Sequence, residues 1–297
     1  MQLAIKIDVD TERGTKIGVP VLLGLLQKHD VPATFLFSLG PDNTGRAIRR
    51  IFRPGFLKKV SRTSVIEIYG LRTLFNGLLF PGPHIGKRHG AIMRKARDHG
   101  HEVGIHCYDH IRWQDGLATM SMRKVRDELI RARDVFHDVF GQESLTAGAA
   151  GWQANSNSLQ AYDEAGFLYG SDCRGHTPFF PKSSTQTFRT LQIPTTLPTL
   201  DELLGRPEYP LEGLVDHYMN LLDPSKLNVL TIHTELEGML YKDWFEEILK
   251  ACKAKKVEFV LLEKIARDLL KNRDKIPVCP LLQGEVDGRS GTLAIQG

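Results

Sequence analysis

Two carboxylates at the end of an apolar run, Asp8 and Asp10, are the first residues whose types and spacing could do chemistry. The run Leu3–Val9 is short and bounded by polar residues, which predicts a buried strand. Alternation along a strand puts both acids on one face, within reach of one site. Such a pair calls for a cation or a proton-transfer task, the alternative being solvated turn acids that cap the next segment. A second apolar run, Glu102–His106, leads into His106-Cys107-Tyr108-Asp109-His110. Two histidines spaced i, i+4 can reach one ion from a tight loop after a strand. The string is not the HExxH of a zinc helix: His101 lies one residue too far from His106, and Gly100 and Gly104 oppose a continuous helix. Taken singly, His106 and His110 read as a packed histidine and a surface one. Taken together with Asp10 at another strand end, Asp10, His106 and His110 read as a His₂-carboxylate set with positions left open for water and substrate, the pattern of a catalytic site. It accepts one divalent ion, zinc, manganese or cobalt. His233 closes a third run, Leu227–His233, and facing such a site it is the natural general acid. His101 and Asp109 read as structural or as supports behind the ligands.

The elements that must position these residues alternate. Strands are expected at Leu3–Val9, Ala33–Leu39, Glu102–His106, Leu145–Ala149, Phe167–Asp172, Leu191–Pro194, Leu227–His233 and Val257–Leu262. Helices are expected at Pro20–His29, Ile85–His99, Ser121–Phe140, Asn157–Ala165, Gly213–Leu222, Tyr241–Ala254 and Lys264–Asn272. Ser121–Phe140 carries the strongest pattern, with Val125, Leu129, Ile130, Val135, Phe136 and Phe140 on one face and Gly141 to end it. Strand–helix alternation over this length predicts an α/β fold, a distorted (β/α) barrel of about seven strands. Functional side chains then gather at the carboxyl ends of the strands. Residues 1–283 read as one catalytic domain with an insertion at about 41–85, and the Gly-rich polar segment 284–297 as a disordered tail.

The net charge of +4 over 297 residues hides an asymmetry, because Arg46 to Lys95 holds twelve Lys/Arg against one acid, Glu67. Arg46, Arg49, Arg50, Arg53, Lys58, Lys59 and Arg62 interleave with Ile51, Phe52, Phe56 and Leu57, ahead of the apolar, aromatic stretch Tyr69 to Phe80. Basic residues followed by amphipathic aromatics suit an element lying on an anionic membrane surface, a solvated helical hairpin being the plainer alternative. Nucleic acid is not an expected partner, since no reading motif accompanies the charge. The four cysteines are scattered without a CxxC pair, which fits a reducing compartment. Charges appear too early for a signal peptide, and no apolar run is long enough to span a bilayer. A cytoplasmic location is expected.

Asp8-Val-Asp10, the string GHEVGIHCYDH from Gly100 to His110, and the late LTIH ending at His233 together resemble the NodB-type polysaccharide deacetylase family, in order along nearly the whole chain. The resemblance implies that Asp8 is the base, that Asp10, His106 and His110 hold the metal, and that His233 protonates the leaving amine. One motif departs. Where the family carries an Arg that orients the base, this chain reads Ala147-Gly-Ala-Ala-Gly-Trp152, and Arg174 is a candidate both for that role and for substrate binding. Trp152 either stacks on a sugar or fills the core, and Glu235 either contacts the sugar or braces its loop. KIDVDTERGT, AGAAGWQAN, YGSDCRG and TIHTELEG narrow the resemblance to the deformylase branch of the family. That branch implies a polyprenyl-phosphate-linked formamido sugar as substrate, at the inner face of the bacterial inner membrane. It also implies a role in lipid A modification and resistance to cationic peptides. A deacetylase of another N-acylated sugar, and a non-catalytic membrane-binding protein on this fold, are the competing readings.

Overall fold

The computed structural model describes residues 1–47 and 73–297. Of the basic residues expected to face a membrane, Arg46 is therefore described, whereas Arg49, Arg50, Arg53, Lys58, Lys59 and Arg62 lie outside the described residues, as do Tyr69 and its neighbours up to Arg72.

The central strand β1 (Gln2–Val9) is buried along both faces from Leu3 onward, as its nearly continuous apolar run requires in a parallel sheet covered by helices. It is followed by α1 (Val19–Lys28), β2 (Thr34–Ser38), α2 (Ile85–Asp98), β3 (Glu102–Cys107), α3 (His110–Gly116), α4 (Met122–Phe140), β4 (Thr146–Ala147), α5 (Ser156–Ala165), β5 (Tyr169–Gly170), β6 (Phe180–Lys182) and β7 (Leu191–Gln192). Then come α6 (Leu200–Leu203), α7 (Leu214–Leu221), β8 (Leu227–His233), α8 (Lys242–Ala254), β9 (Glu258–Phe259) and α9 (Leu262–Leu270). The main sheet runs β7-β5-β4-β3-β2-β1-β8, with β9 also joining β1, and every pair is parallel. Its two edges meet irregularly. Thr196 and Leu197, just past β7, donate from their backbone nitrogens to Val229 O on β8, and Val229 N donates to Thr196 Oγ1. The result is the expected distorted barrel, with its seam between β7 and β8.

The helix pattern read from the sequence holds for α4, with one exception. Val125, Leu129, Val135, Phe136 and Phe140 are buried, and Gly141 ends the helix at a left-handed φ of 67°. Ile130, expected on that face, is instead 53% exposed.

The segment 284–297 is not a disordered tail. β10 (Val278–Glu285) and β11 (Thr292–Gln296) form an antiparallel hairpin, and β10 also pairs with β6. Leu293 and Ala294 are buried. The Gly-rich string that suggested disorder is the hairpin's turn, where Gly288 and Gly291 take φ of 82° and 80°, conformations that glycine adopts without strain. A Cβ on Gly288 would sit 2.2 Å from Glu202 O, so the turn is seated against α6.

Candidate metal centre

Strand order sets the site. Asp8 is in register with His233 on the neighbouring β8, while β2 and then β3 lie on the other side of β1. The β2–β3 ladder slips at this point: Phe37 faces Ile105 but Ser38 faces Cys107. His106 is thus the extra residue of a bulge, a device that re-aims a side chain near the end of a strand. His110 follows as the first residue of α3, whose cap is Asp109; its carboxylate accepts from Arg112 N at 3.0 Å and from Asn43 Nδ2 at 2.7 Å. Asp109 is structural, as expected, and so is His101, which accepts from Ala33 N. Burial holds the His101 imidazole down at about 4.

Asp10 Oδ1 lies 3.2 Å from His106 Nε2 and 3.5 Å from His110 Nε2. One ligand atom from each of the three residues falls within 4.8 Å of the other two. Burial alone would raise the Asp10 carboxyl, but His110, His106 and His233 hold it far below the usual carboxylate range. Burial also opposes protonation of His106, yet Asp8 and Asp10 outweigh it and raise that imidazole. Among the described residues, Asp8 Oδ1, Asp10 Oδ1, His106 Nδ1 and His233 Nδ1 are buried without a hydrogen-bond partner. Buried polar atoms are seldom left so. Two imidazole nitrogens converging on an orphaned carboxylate oxygen fit a divalent cation in donor type and number.

The other residues singled out in the sequence take different places. Trp152 is 2% exposed, donates from Nε1 to Thr195 Oγ1, and stands edge-on to His233 with ring centroids 6.2 Å apart. It supports His233 from the core and offers no open stacking face. Its φ of 52° is uncommon for a bulky side chain and is held by that packing. Arg174 does not reach Asp8. Its guanidinium pairs with Glu202 and donates to Leu197 O, so it does not replace the missing orienting cation. Glu235 is 1% exposed and accepts from Thr11 N and Thr11 Oγ1, which makes it the brace between the loops after β1 and β8. Glu237 accepts from His233 N at 2.9 Å.

Two participants escaped the sequence reading. Lys6, fully buried, lies 3.4 Å from Asp8 Oδ2; the alternation that paired Asp8 with Asp10 also puts Lys6 on their face. Arg289, from the hairpin turn, lies 4.3 Å from the Trp152 ring and pairs with Glu202 and Asp201. No local pattern announces a contact made across so much chain.

The geometry has relatives. The family model for polysaccharide deacetylases matches residues 10–170. Over 99% of this chain and 94% of its own length, the "Probable 4-deoxy-4-formamido-L-arabinose-phosphoundecaprenol deformylase ArnD" of Shewanella sediminis is 39% identical. The chain belongs to the polysaccharide deacetylase family. A second relative, from Wigglesworthia glossinidia brevipalpis and bearing the same name, is 35% identical over 95% of this chain and 98% of its own. The polysaccharide deacetylase fold recurs at 20% identity in a crystal structure of a candidate member from Mycobacterium smegmatis, with a TM-score of 0.64 over 96% of this chain and 94% of that one.

Proposed function

We propose that this protein is a metal-dependent amide hydrolase that removes the formyl group from undecaprenyl-phosphate 4-deoxy-4-formamido-L-arabinose, giving the free amino sugar and formate. The substrate reading is supported above all by near full-length similarity to two proteins named for that deformylation. The reaction class is supported by the convergence of Asp10, His106 and His110 beside Asp8 and His233. The product amine suits the lipid A modification and cationic-peptide resistance expected from the sequence.

In this reading Asp10, His106 and His110 would hold one divalent ion, and such an ion would supply polarisation of the amide carbonyl and a more acidic water. Asp8 takes the proton of the attacking water as its oxygen bonds to the formyl carbon. His233, adjacent in register and steadied by Trp152, gives a proton to the sugar nitrogen as the C–N bond breaks. Formate and a primary amine leave, and Asp8 and His233 have exchanged protons with solvent by the next cycle. The substrate's lipid places the reaction at a membrane, and we infer peripheral association with the cytoplasmic face. Phe75, Leu78, Leu79 and Phe80, late in the insertion at about 41–85, are 41–69% exposed, and an exposed apolar patch suits a lipid surface. Among the described residues no helix is long and apolar enough to cross a membrane. The test is release of formate from the lipid-linked formamido sugar beside release of acetate from its acetamido counterpart. Formate release at least about tenfold faster, the rough scale of one methylene in a fitted pocket, is expected. Equal rates would overturn the formyl preference, and release of neither acid the hydrolase reading.

A further inference from the structure

Among the described residues Lys6 is the only lysine in the buried interior. It stands two positions before Asp8 on β1, so the two side chains share a face. Its ammonium lies 3.4 Å from Asp8 Oδ2 and donates to Ser171 O, just past β5, at 3.1 Å. The Trp152 ring is 5.4 Å from it. Gly148 borders the ammonium: a Cβ there would be in ordinary contact with Lys6 Nζ at 3.5 Å but would crowd Leu36 Cδ1 at 2.4 Å. An ammonium buried in a barrel costs several kcal/mol before pairing, and an apolar side chain of similar volume is often as stable or more so. Stability alone is therefore a poor reason for a lysine here.

The two oxygens of Asp8 are treated differently. Oδ2 is the one near Lys6, while Oδ1 has no hydrogen-bond partner among the described residues and lies 3.9 Å from His106 Nδ1, on the side of the metal ligands. A base needs this: a carboxylate fixed in rotation by one oxygen and open at the other. We propose that Lys6 is the positioning residue of the site, anchoring Asp8 through Oδ2 so that Oδ1 faces the attacking water. The inference rests on the reading of Asp8 as base. It assigns to β1 itself the orienting cation that neither the Ala147–Trp152 segment nor Arg174 supplies. Lys6 acts through Asp8 and touches no substrate.

The experiment compares the parent protein with Lys6→Met and Lys6→Ala, each brought to full metal content. Lys6→Met is expected to lower kcat on the order of 100-fold, the lower end of what a positioned base contributes. KM and metal content should stay at parental values. In Lys6→Ala, propylammonium should restore kcat with saturation, and propanol of the same shape should not. A folded, metal-loaded Lys6→Met protein with parental kcat overturns the proposal, and so does equal rescue by the alcohol. Should Lys6→Met not fold, Lys6→Ala is refolded with propylammonium and then rapidly diluted. kcat must fall while native fluorescence and bound metal persist, and a kcat that survives dilution also overturns the proposal. Activity of the parent on either the formyl or the acetyl substrate suffices, since the base serves both. A parent inactive on both would instead sink the hydrolase reading, and this inference with it.

Discussion

Asp10 and Asp8 sit two residues apart on one strand face yet carry different burdens, and substitution should separate them. Asp10→Asn or His106→Ala removes a donor from the set that converges within 4.8 Å. Metal affinity is expected to fall by more than about 100-fold, the upper range for loss of an outer partner alone, with turnover lost in parallel. Asp8→Asn and His233→Ala should keep parental metal content by elemental analysis and lower kcat by roughly 10²–10⁴. Metal lost with Asp8→Asn, or turnover kept with His233→Ala, would contradict the roles. At this scale the sequence was informative because acids and histidines at strand ends are few and costly there. Lys6 was just as exposed to the same alternation rule, but a lone lysine in a strand reads as an edge or surface residue until its burial is seen. Arg174 misled for the converse reason: its charge is visible in the sequence, while its commitment to Glu202 is a fact of the fold.

The strands and helices were legible from periodicity because each is a local, buried pattern; what joins them was not. The His106 bulge appears only when β2 and β3 are laid in register. The segment 284–297 looked disordered because its turn is Gly-rich and polar, while the burial that fixes it, at Leu293 and Ala294, appears only once the strand is paired. Removing residues 286–297 takes Arg289 away from Glu202 and Asp201. Glu202 keeps Arg174 but loses its second cation, and Leu293 and Ala294 leave the buried interior, so a lowered Tm and a reduced kcat are expected together. A truncated protein with parental Tm would show the hairpin to be dispensable. In the sheet core, Glu102 accepts from Tyr169 OH, Thr34 Oγ1 and Glu263 N, and burial pushes its carboxyl up to about 7 from 4.5. Between those values the folded protein keeps a proton that the unfolded chain has lost. The associated stability is therefore complete below the lower value and disappears as pH rises through the upper one. Glu102→Gln can keep all three contacts, its amide facing Tyr169. Urea midpoints should show the variant gaining on the order of 2 kcal/mol over the parent at pH 8.5, with little difference at acid pH. An equal difference at both pH values would contradict the burial argument.

On the scale of the whole molecule, the site and the exposed apolar residues are neighbours through a short chain of hydrogen bonds. Asn43 donates to Asp109, the cap of the His110 helix, while Gly45 N donates to Asn76 O and Arg46 Nε to Gly77 O. In the proposed reading, an apolar edge linked in this way to the helix that carries His110 would let a lipid-linked sugar enter without leaving its membrane. Flotation with vesicles containing anionic lipid should retain the parent protein and release it with salt, as surface charge is screened. Leu79→Glu with Phe80→Glu should weaken retention while kcat on a water-soluble substrate analogue stays unchanged; unaltered retention would place the membrane contact elsewhere. The central claim, a single metal ion at Asp10, His106 and His110 serving amide hydrolysis, is tested most directly by stripping the metal and adding it back. Formate release from the lipid-linked formamido sugar should vanish in the stripped protein and return in proportion to metal, saturating near one equivalent, and Asp10→Asn should not recover. Release that persists without metal, or that returns equally in Asp10→Asn, would contradict it.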